Sequence, residues 1–227
     1  MAKQIFVTGT GTDVGKTFVT GLLVKKLREQ GKNPAYFKAA MSGNDRDEAG
    51  RLLPGDALFV KNISGIRQPP EEMCPYLYER AVSPHLAARI EGNPVRMETV
   101  TASFRALQEK YDYITVEGSG GILCPLRWDQ AKLQLEDVVK ELELSCLLVA
   151  DAGLGTINAV CLTAFYMREK HIPLKGILLN RFHPDSEMER DNLVMCQQMT
   201  GLKVLACVKD GDTDLDMDID ALTALYD

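Results

Sequence analysis

The sequence predicts a three-layer α/β fold, a mostly parallel sheet with helices on both faces, and three observations carry that expectation. Short apolar runs ending in Gly, Asp, Asn or Glu recur along the chain, stretches with helical spacing lie between many of them, and a glycine-rich segment closing in Gly-Lys-Thr follows the first run. Runs this short and continuously apolar suit strands buried on both faces, as in a parallel sheet.

Taken in order, the expected strands are IFVTG (5–9), AYFKAA (35–40), YITVEG (113–118), CLLVAD (146–151), GILLN (176–180) and VLACV (204–208). The expected helices cover 17–30, 98–110, 156–170 and 187–200. Residues from Ser42 to about Pro94 are rich in glycine and proline and read as loops and short helices over the sheet edge. Within them, Ser83-Pro84 ahead of HLAARI suits an N-cap followed by proline at the first helical position. Asp56 ahead of ALFV reads on its own as an N-cap accepting from helix N–H groups. The acidic GDTDLDMDID (211–220) reads as a solvated loop before a short last helix. With no repeat, low-complexity tract or linker, one domain over 1–227 is expected.

Of the 227 residues 45% are hydrophobic, enough to build a core without metals or disulfides. The 32 acidic against 26 basic residues leave a formal charge of −6, which disfavours nucleic acid and anionic membrane as partners and points to small molecules. Six scattered cysteines without a C-x-x-C pair, several inside apolar runs, read as buried thiols in a reducing compartment. The opening MAKQIFVTG has no signal core, and no stretch approaches the roughly 18 apolar residues of a membrane span, so a cytoplasmic protein is expected.

The segment Gly9-Thr10-Gly11-Thr12-Asp13-Val14-Gly15-Lys16-Thr17 has the order a phosphate site requires: strand, glycine-rich backbone that can turn its N–H groups inward, then a helix start with partial positive charge. Lys16 can reach β- and γ-phosphates, and the Thr17 hydroxyl can ligate Mg2+. The spacing departs from the common form, since five residues (10–14) separate Gly9 from Gly15-Lys16 and three (12–14) separate Gly11 from it. Ligands of such sheets gather at the carboxyl ends of the strands. Glu117 ends one strand beside Gly118-Ser119-Gly120-Gly121 and is expected to emerge near the loop as a hard oxygen ligand. Lys38 is either a surface lysine or a buried ammonium that needs an anionic partner.

The string FVTGTGTDVGKT resembles the loop of the dethiobiotin synthetase family, a P-loop NTPase-like group whose loop is also one residue longer than the common form. YFKAAMSG (36–43), GDALFV (55–60), VSPH (82–85) and ITVEGSGG (114–121) match in order, and the likeness continues weakly through GLGTINAV (153–160) and LLNRF (178–182). The resemblance implies a homodimeric ligase that uses ATP and Mg2+ to join CO2 to 7,8-diaminononanoate and close the ring of dethiobiotin. Carried over by position, it makes Lys16 and Lys38 catalytic, and Thr17, Asp56 and Glu117 the metal ligands. Asp13, Val14, Gly15, Phe18, Gly118, Ser119, Gly120, Asn180 and Arg181 join them around the nucleotide. Thr12, Lys38 and Ser42 fall on the substrate side, with Gly155 and Asn158 reaching the substrate carboxylate of the other subunit from a helix start. The family's Ile-Pro segment is missing after the last strand, where the chain reads Ala206-Cys207-Val208-Lys209-Asp210-Gly211 from strand into loop, so the base preference stays open.

Two relatives of the loop give competing readings. An amidoligase of the cobyrinic-acid a,c-diamide synthase type carries a glutaminase domain, for which 227 residues leave no room. A nucleotide-switched, partner-regulating ATPase carries an extra lysine at the start of the loop, where Gly9 and Thr10 stand here.

Overall fold

Six parallel strands form the central sheet of the computed structural model, which describes residues 2–227. In chain order the elements begin with β1 (Lys3–Gly9), α1 (Lys16–Glu29), β2 (Pro34–Phe37), α2 (Gly55–Ser64), α3 (Pro84–Ile90), α4 (Met97–Gln108) and β3 (Tyr113–Glu117). A small antiparallel hairpin of β4 (Pro125–Trp128) and β5 (Lys132–Gln134) precedes α5 (Leu135–Glu141). The chain closes with β6 (Cys146–Asp151), α6 (Thr156–Glu169), β7 (Leu174–Asn180), α7 (Glu187–Thr200), β8 (Val204–Val208) and α8 (Ile219–Thr223). The sheet order is β2-β3-β1-β6-β7-β8. Its direction reverses beside β1, so the loop after β1 opens at a switch point, where a crevice forms.

Alternation along β1 divides the core. Phe6 faces a cluster with Phe37, Val116, Phe104 of α4 and Val138 of α5, whereas Ile5 and Val7 face Leu22 and Leu23 of α1 and Leu222 of α8. Beyond β1, Leu148 and Leu179 pack with Val160 of α6 and Cys196 of α7. Helices therefore cover both faces, and the three-layer expectation is met.

Several local expectations are corrected. β2 ends at Phe37 rather than at residue 40, because the backbone leaves the sheet to pair with a passing segment: Lys38 N donates to Met73 O at 2.8 Å and Met41 N to Tyr76 O at 2.8 Å. Residues 38–40 are as buried as a strand without being one. Asp56 is not an N-cap; that position belongs to Pro54, and Asp56 stands in the first turn of α2. Ser83 does precede α3, with Pro84 opening the helix, but its side chain makes no capping bond. The acidic stretch is more than a solvated loop, since Leu215 is fully buried and Lys26 Nζ donates to Leu215 O at 2.7 Å and to Asp214 at 3.2 Å. All six cysteines are free thiols, but only Cys74, Cys146 and Cys196 are fully buried, while Cys124, Cys161 and Cys207 are half-buried.

In the helix layer beside β2, Phe104 of α4 packs edge-on against Phe37 with ring centroids 5.6 Å apart, within a cluster that also holds Val100 and Leu107. Phe104→Ala should lower the unfolding free energy by about 3–5 kcal/mol in urea titrations. A loss below about 1 kcal/mol would show that this layer does not depend on the contact.

Candidate functional site

The loop after β1 begins as a continuation of the strand, with Thr10 N donating to Val149 O at 3.0 Å, and then turns back over itself to start α1. Gly15 is the residue that permits this, for two reasons. Its φ of +88° lies in the left-handed region, and a Cβ there would stand 1.9 Å from Asn180 Nδ2. Asn180 is buried beneath the loop and donates to Val14 O at 3.1 Å. Among the described residues, the backbone N–H groups from Gly11 to Phe18 have no protein acceptor. Peptide donors converging at a helix N-terminus, with Gly15 rather than a side chain at the cap, are a ready anion receptor. Lys16 Nζ spans the loop to Gly11 O at 2.8 Å. Burial, and then the neighbouring charge of Lys38, hold its pKa below the ordinary lysine value.

A second group of side chains meets this loop from the other side. Lys38 is buried, and its ammonium donates to Glu117 Oε1 at 2.7 Å and Asp56 Oδ2 at 2.6 Å. Glu117 Oε1 also accepts from Thr17 Oγ1 at 2.8 Å, and Oε2 accepts from Tyr36 Oη at 3.0 Å. Burial alone would favour a neutral lysine, but the two carboxylates outweigh it and raise the Lys38 pKa above its ordinary value. Burial, then Glu117, raise the Tyr36 pKa well above the phenolic range, so its hydroxyl remains a donor. The ends of β2 and β3 bring Lys38 and Glu117 together, while α2 delivers Asp56 and α1 delivers Thr17.

Lys16, Thr17, Lys38, Asp56 and Glu117 line a cleft of about 1070 Å³, with Tyr36 buried behind them. Of the residues the sequence singled out, Thr12, Asp13, Gly15, Lys16, Thr17 and Phe18 stand on its loop side. Lys38, Ser42, Asp56, Glu117, Ser119, Gly120 and Arg181 also line it. Ser42 Oγ donates to Val82 O at 2.6 Å and Ser119 Oγ to Ala40 O at 2.8 Å, so both tie cleft loops together. Three of the expected nucleotide residues sit outside the lining. Val14 and Asn180 bond each other below the loop, and Gly118 is a packing position, where a Cβ would stand 2.7 Å from Leu135 and 2.9 Å from Phe6. Gly155 and Asn158 are exposed at the start of α6 and do not line the cleft of their own chain.

Sequence reasoning missed Tyr36, although its spacing of two from Lys38 was a signal that both side chains share a direction. It also gave no role in the cleft to the apolar wall of Phe59, Val82 and Pro84, although these residues lie within the matching segments GDALFV and VSPH. Among the described residues no cluster of three or more His, Cys, Asp or Glu side chains is arranged as a metal cage. The metal ligands implied by the resemblance are two carboxylates and a hydroxyl, with Lys38 between the carboxylates.

A family model described as an AAA domain matches residues 3–213. The ATP-dependent dethiobiotin synthetase BioD of Brachyspira hyodysenteriae is 46% identical over 217 residues, 95% of this chain and 96% of that protein. The protein of that name in Clostridium botulinum is 43% identical over 227 residues, 100% of this chain and 99% of its own. In Clostridium perfringens the figures are 42% over 208 residues, 92% and 91%. Among solved structures, the MinC:MinD cell division protein complex of Aquifex aeolicus matches with a TM-score of 0.56 at 14% identity, over 98% of this chain and 86% of that one. A ParA family ATPase of Chlorobium tepidum matches at 0.53 and 16%, over 97% and 88%. At such identities these structures speak for the fold alone.

Removing one partner of a buried ion pair strands the other. Lys38→Met should therefore lose about 3–5 kcal/mol of stability in denaturant titrations at neutral pH. Adding Glu117→Gln should recover most of that loss; a double variant as unstable as the single one would contradict the pairing. The raised Lys38 pKa sets the sign of the pH dependence. The pair supports the unaltered fold fully below the ordinary lysine range and loses that support only as pH rises through the higher folded value.

Proposed function

This chain belongs to the dethiobiotin synthetase family, and from that premise we propose how its cleft carries out the reaction. It is an ATP-dependent ligase of biotin biosynthesis that forms dethiobiotin. We propose that it joins CO2 to 7,8-diaminononanoate in three steps. One amine adds to CO2 and loses a proton, giving a carbamate. A carbamate oxygen then attacks the γ-phosphorus of ATP, the bond to the bridging oxygen breaks, and ADP leaves. Finally the second amine attacks the carbonyl of the carbamic–phosphoric anhydride, losing its proton as phosphate departs and the cyclic urea closes.

The observation that carries this reading is the buried Lys38 ammonium, held by Glu117 and Asp56 beside a loop of unpaired N–H groups. Each step places negative charge on oxygen, and none asks for a covalent protein nucleophile. Positioning and charge neutralisation suffice. In this reading Lys16 and the N–H groups of residues 13–18 hold the phosphates, with Asp13, Ser119, Gly120 and Arg181 around them. Lys38 steadies the carbamate and the transferred phosphoryl oxygens, and Thr12 and Ser42 lie on the diamine side. Val14, Asn180 and Gly118 act by shaping the loop and the floor from below.

The donor set fits Mg2+. Thr17 Oγ1 and Glu117 Oε1 are two hard oxygens 2.8 Å apart at the loop, and Lys38 joins Asp56 to the same group. Thr17, Asp56 and Glu117 would hold the ion, which when bound supplies charge neutralisation for the β- and γ-phosphates.

We further assign the protein as a single-domain homodimer in the cytoplasm. One continuous sheet covered on both faces favours a single domain. Among the described residues no helix is long and apolar enough to cross a membrane. The start and outer faces of α6 and α7 expose Leu154, Leu162, Phe165, Val194 and Met199, with Leu154 93% exposed. A second copy over this surface would bring Gly155 and Asn158 to the partner's cleft.

The direct test is phosphate release with MgATP. Release should require 7,8-diaminononanoate and bicarbonate together, and Lys16→Ala should reduce it at least about 100-fold with an unchanged unfolding transition. Release indifferent to the diamine would overturn the reaction, and undiminished release by Lys16→Ala would overturn the role of the loop.

A further inference from the structure

The end of β7 holds two successive carbonyls of the phosphate loop. Asn180 Nδ2 donates to Val14 O at 3.1 Å, and one guanidinium nitrogen of Arg181 donates to Asp13 O at 2.9 Å. Across a trans peptide the C=O and the following N–H point in opposite directions, and among the described residues no peptide is cis. Anchoring these carbonyls on the β7 side thus turns the N–H groups of Val14 and Gly15 away from β7. The orientation of the donor array is imposed from outside the loop.

The Arg181 anchor is itself held. Asp13 has φ +60° and Arg181 φ +54°, left-handed conformations that residues other than glycine keep only where surrounding contacts fix them. Another Arg181 nitrogen donates to Asp151 Oδ2 at 2.7 Å, and Asp151 Oδ1 accepts from Gly153 N at 2.9 Å. A continuous chain of hydrogen bonds therefore runs from the turn that enters α6, through the Asp151 carboxylate and the Arg181 guanidinium, to the Asp13 carbonyl.

We propose that Asp151 is a positioning residue for nucleotide binding: through Arg181 it sets the Asp13–Val14 peptide, and with it the N–H donors presented to the phosphates. This rests on the reading of the loop as the nucleotide-phosphate site. The ion pair is not a device for global stability. Both side chains are 43% exposed, and exposed pairs add little to the folding free energy. What the pair supplies is direction.

Asp151→Asn is close to isosteric and keeps an acceptor for Gly153 N while replacing the oxygen that faces Arg181 with a donor. Its dissociation constant for MgADP, measured by calorimetry, should rise roughly ten-fold, and the KM for MgATP should rise in parallel. The kcat at saturating MgATP, the KM for 7,8-diaminononanoate and the melting temperature should stay as in the unaltered chain. Arg181→Ala should also weaken MgADP, and Asp151→Asn added to it should have no further effect, since Asp151 acts through that arginine. Unaltered MgADP affinity in Asp151→Asn, or a penalty that adds in full on Arg181→Ala, would overturn the proposal while leaving the functional reading intact. Failure of the unaltered chain to bind MgADP would overturn both.

Discussion

The Lys38 ammonium between Glu117 and Asp56 is the interaction on which the site depends, because it joins three separately built parts of the fold. Lys38 follows β2, Glu117 ends β3, and Asp56 comes from the first turn of α2. β2 and β3 are parallel neighbours, with Phe37 paired to Val116, so the two residues after that pair meet at the carboxyl edge of the sheet. α2 is held in place by Asn44, whose Oδ1 accepts from Gly55 N at 3.1 Å while its Nδ2 donates to the carbonyls of Met41 and Tyr78. A buried ion pair contributes little net stability, since desolvation offsets the attraction. It does impose a single arrangement, as each alternative leaves a charge unpaired.

Much of the fold was legible because a parallel sheet writes its strands as continuous apolar runs. β1, β3, β6 and β7 are buried along most of their length and fall where those runs stand, as does the half-buried edge strand β8. β2 was misjudged at its end because residues 38–40 owe their burial to a segment more than thirty residues later, which no local pattern records. The β4–β5 hairpin escaped for the opposite reason: its strands are short and half exposed, and their composition resembles a loop. Lys16 and Thr17 were readable from backbone chemistry, and Glu117 from its place at a strand end. Asp56 was not, because only tertiary contacts decide that Pro54 takes the cap. The bond between Arg181 and Asp13, 168 residues apart in sequence, leaves no trace in spacing at all.

The two halves of the cleft are stabilised differently, and the division matches the chemistry proposed for them. On the loop side, the backbone is held from the β7 side by Asn180 and Arg181, leaving N–H groups free for an anion. On the other side, the charges are already paired with one another, so Lys38 is fixed in place and does not search for its partner during a reaction. Such prior fixing is what electrostatic catalysis requires. Glu117 and Asp56 oppose the repulsion between the two lysines: at Lys38 they outweigh burial and raise the pKa, whereas at Lys16 burial, and then Lys38, prevail and lower it.

The claim that Lys38 is clamped as an ammonium is tested most directly by following its side-chain Nζ and Cε resonances with pH, the signals being assigned by their absence in a Lys38→Met variant. The clamped geometry predicts a slowly exchanging ammonium that stays protonated through the range near pH 10.4 where exposed lysines lose their protons. A Lys38 that titrates at or below that ordinary lysine range would contradict it.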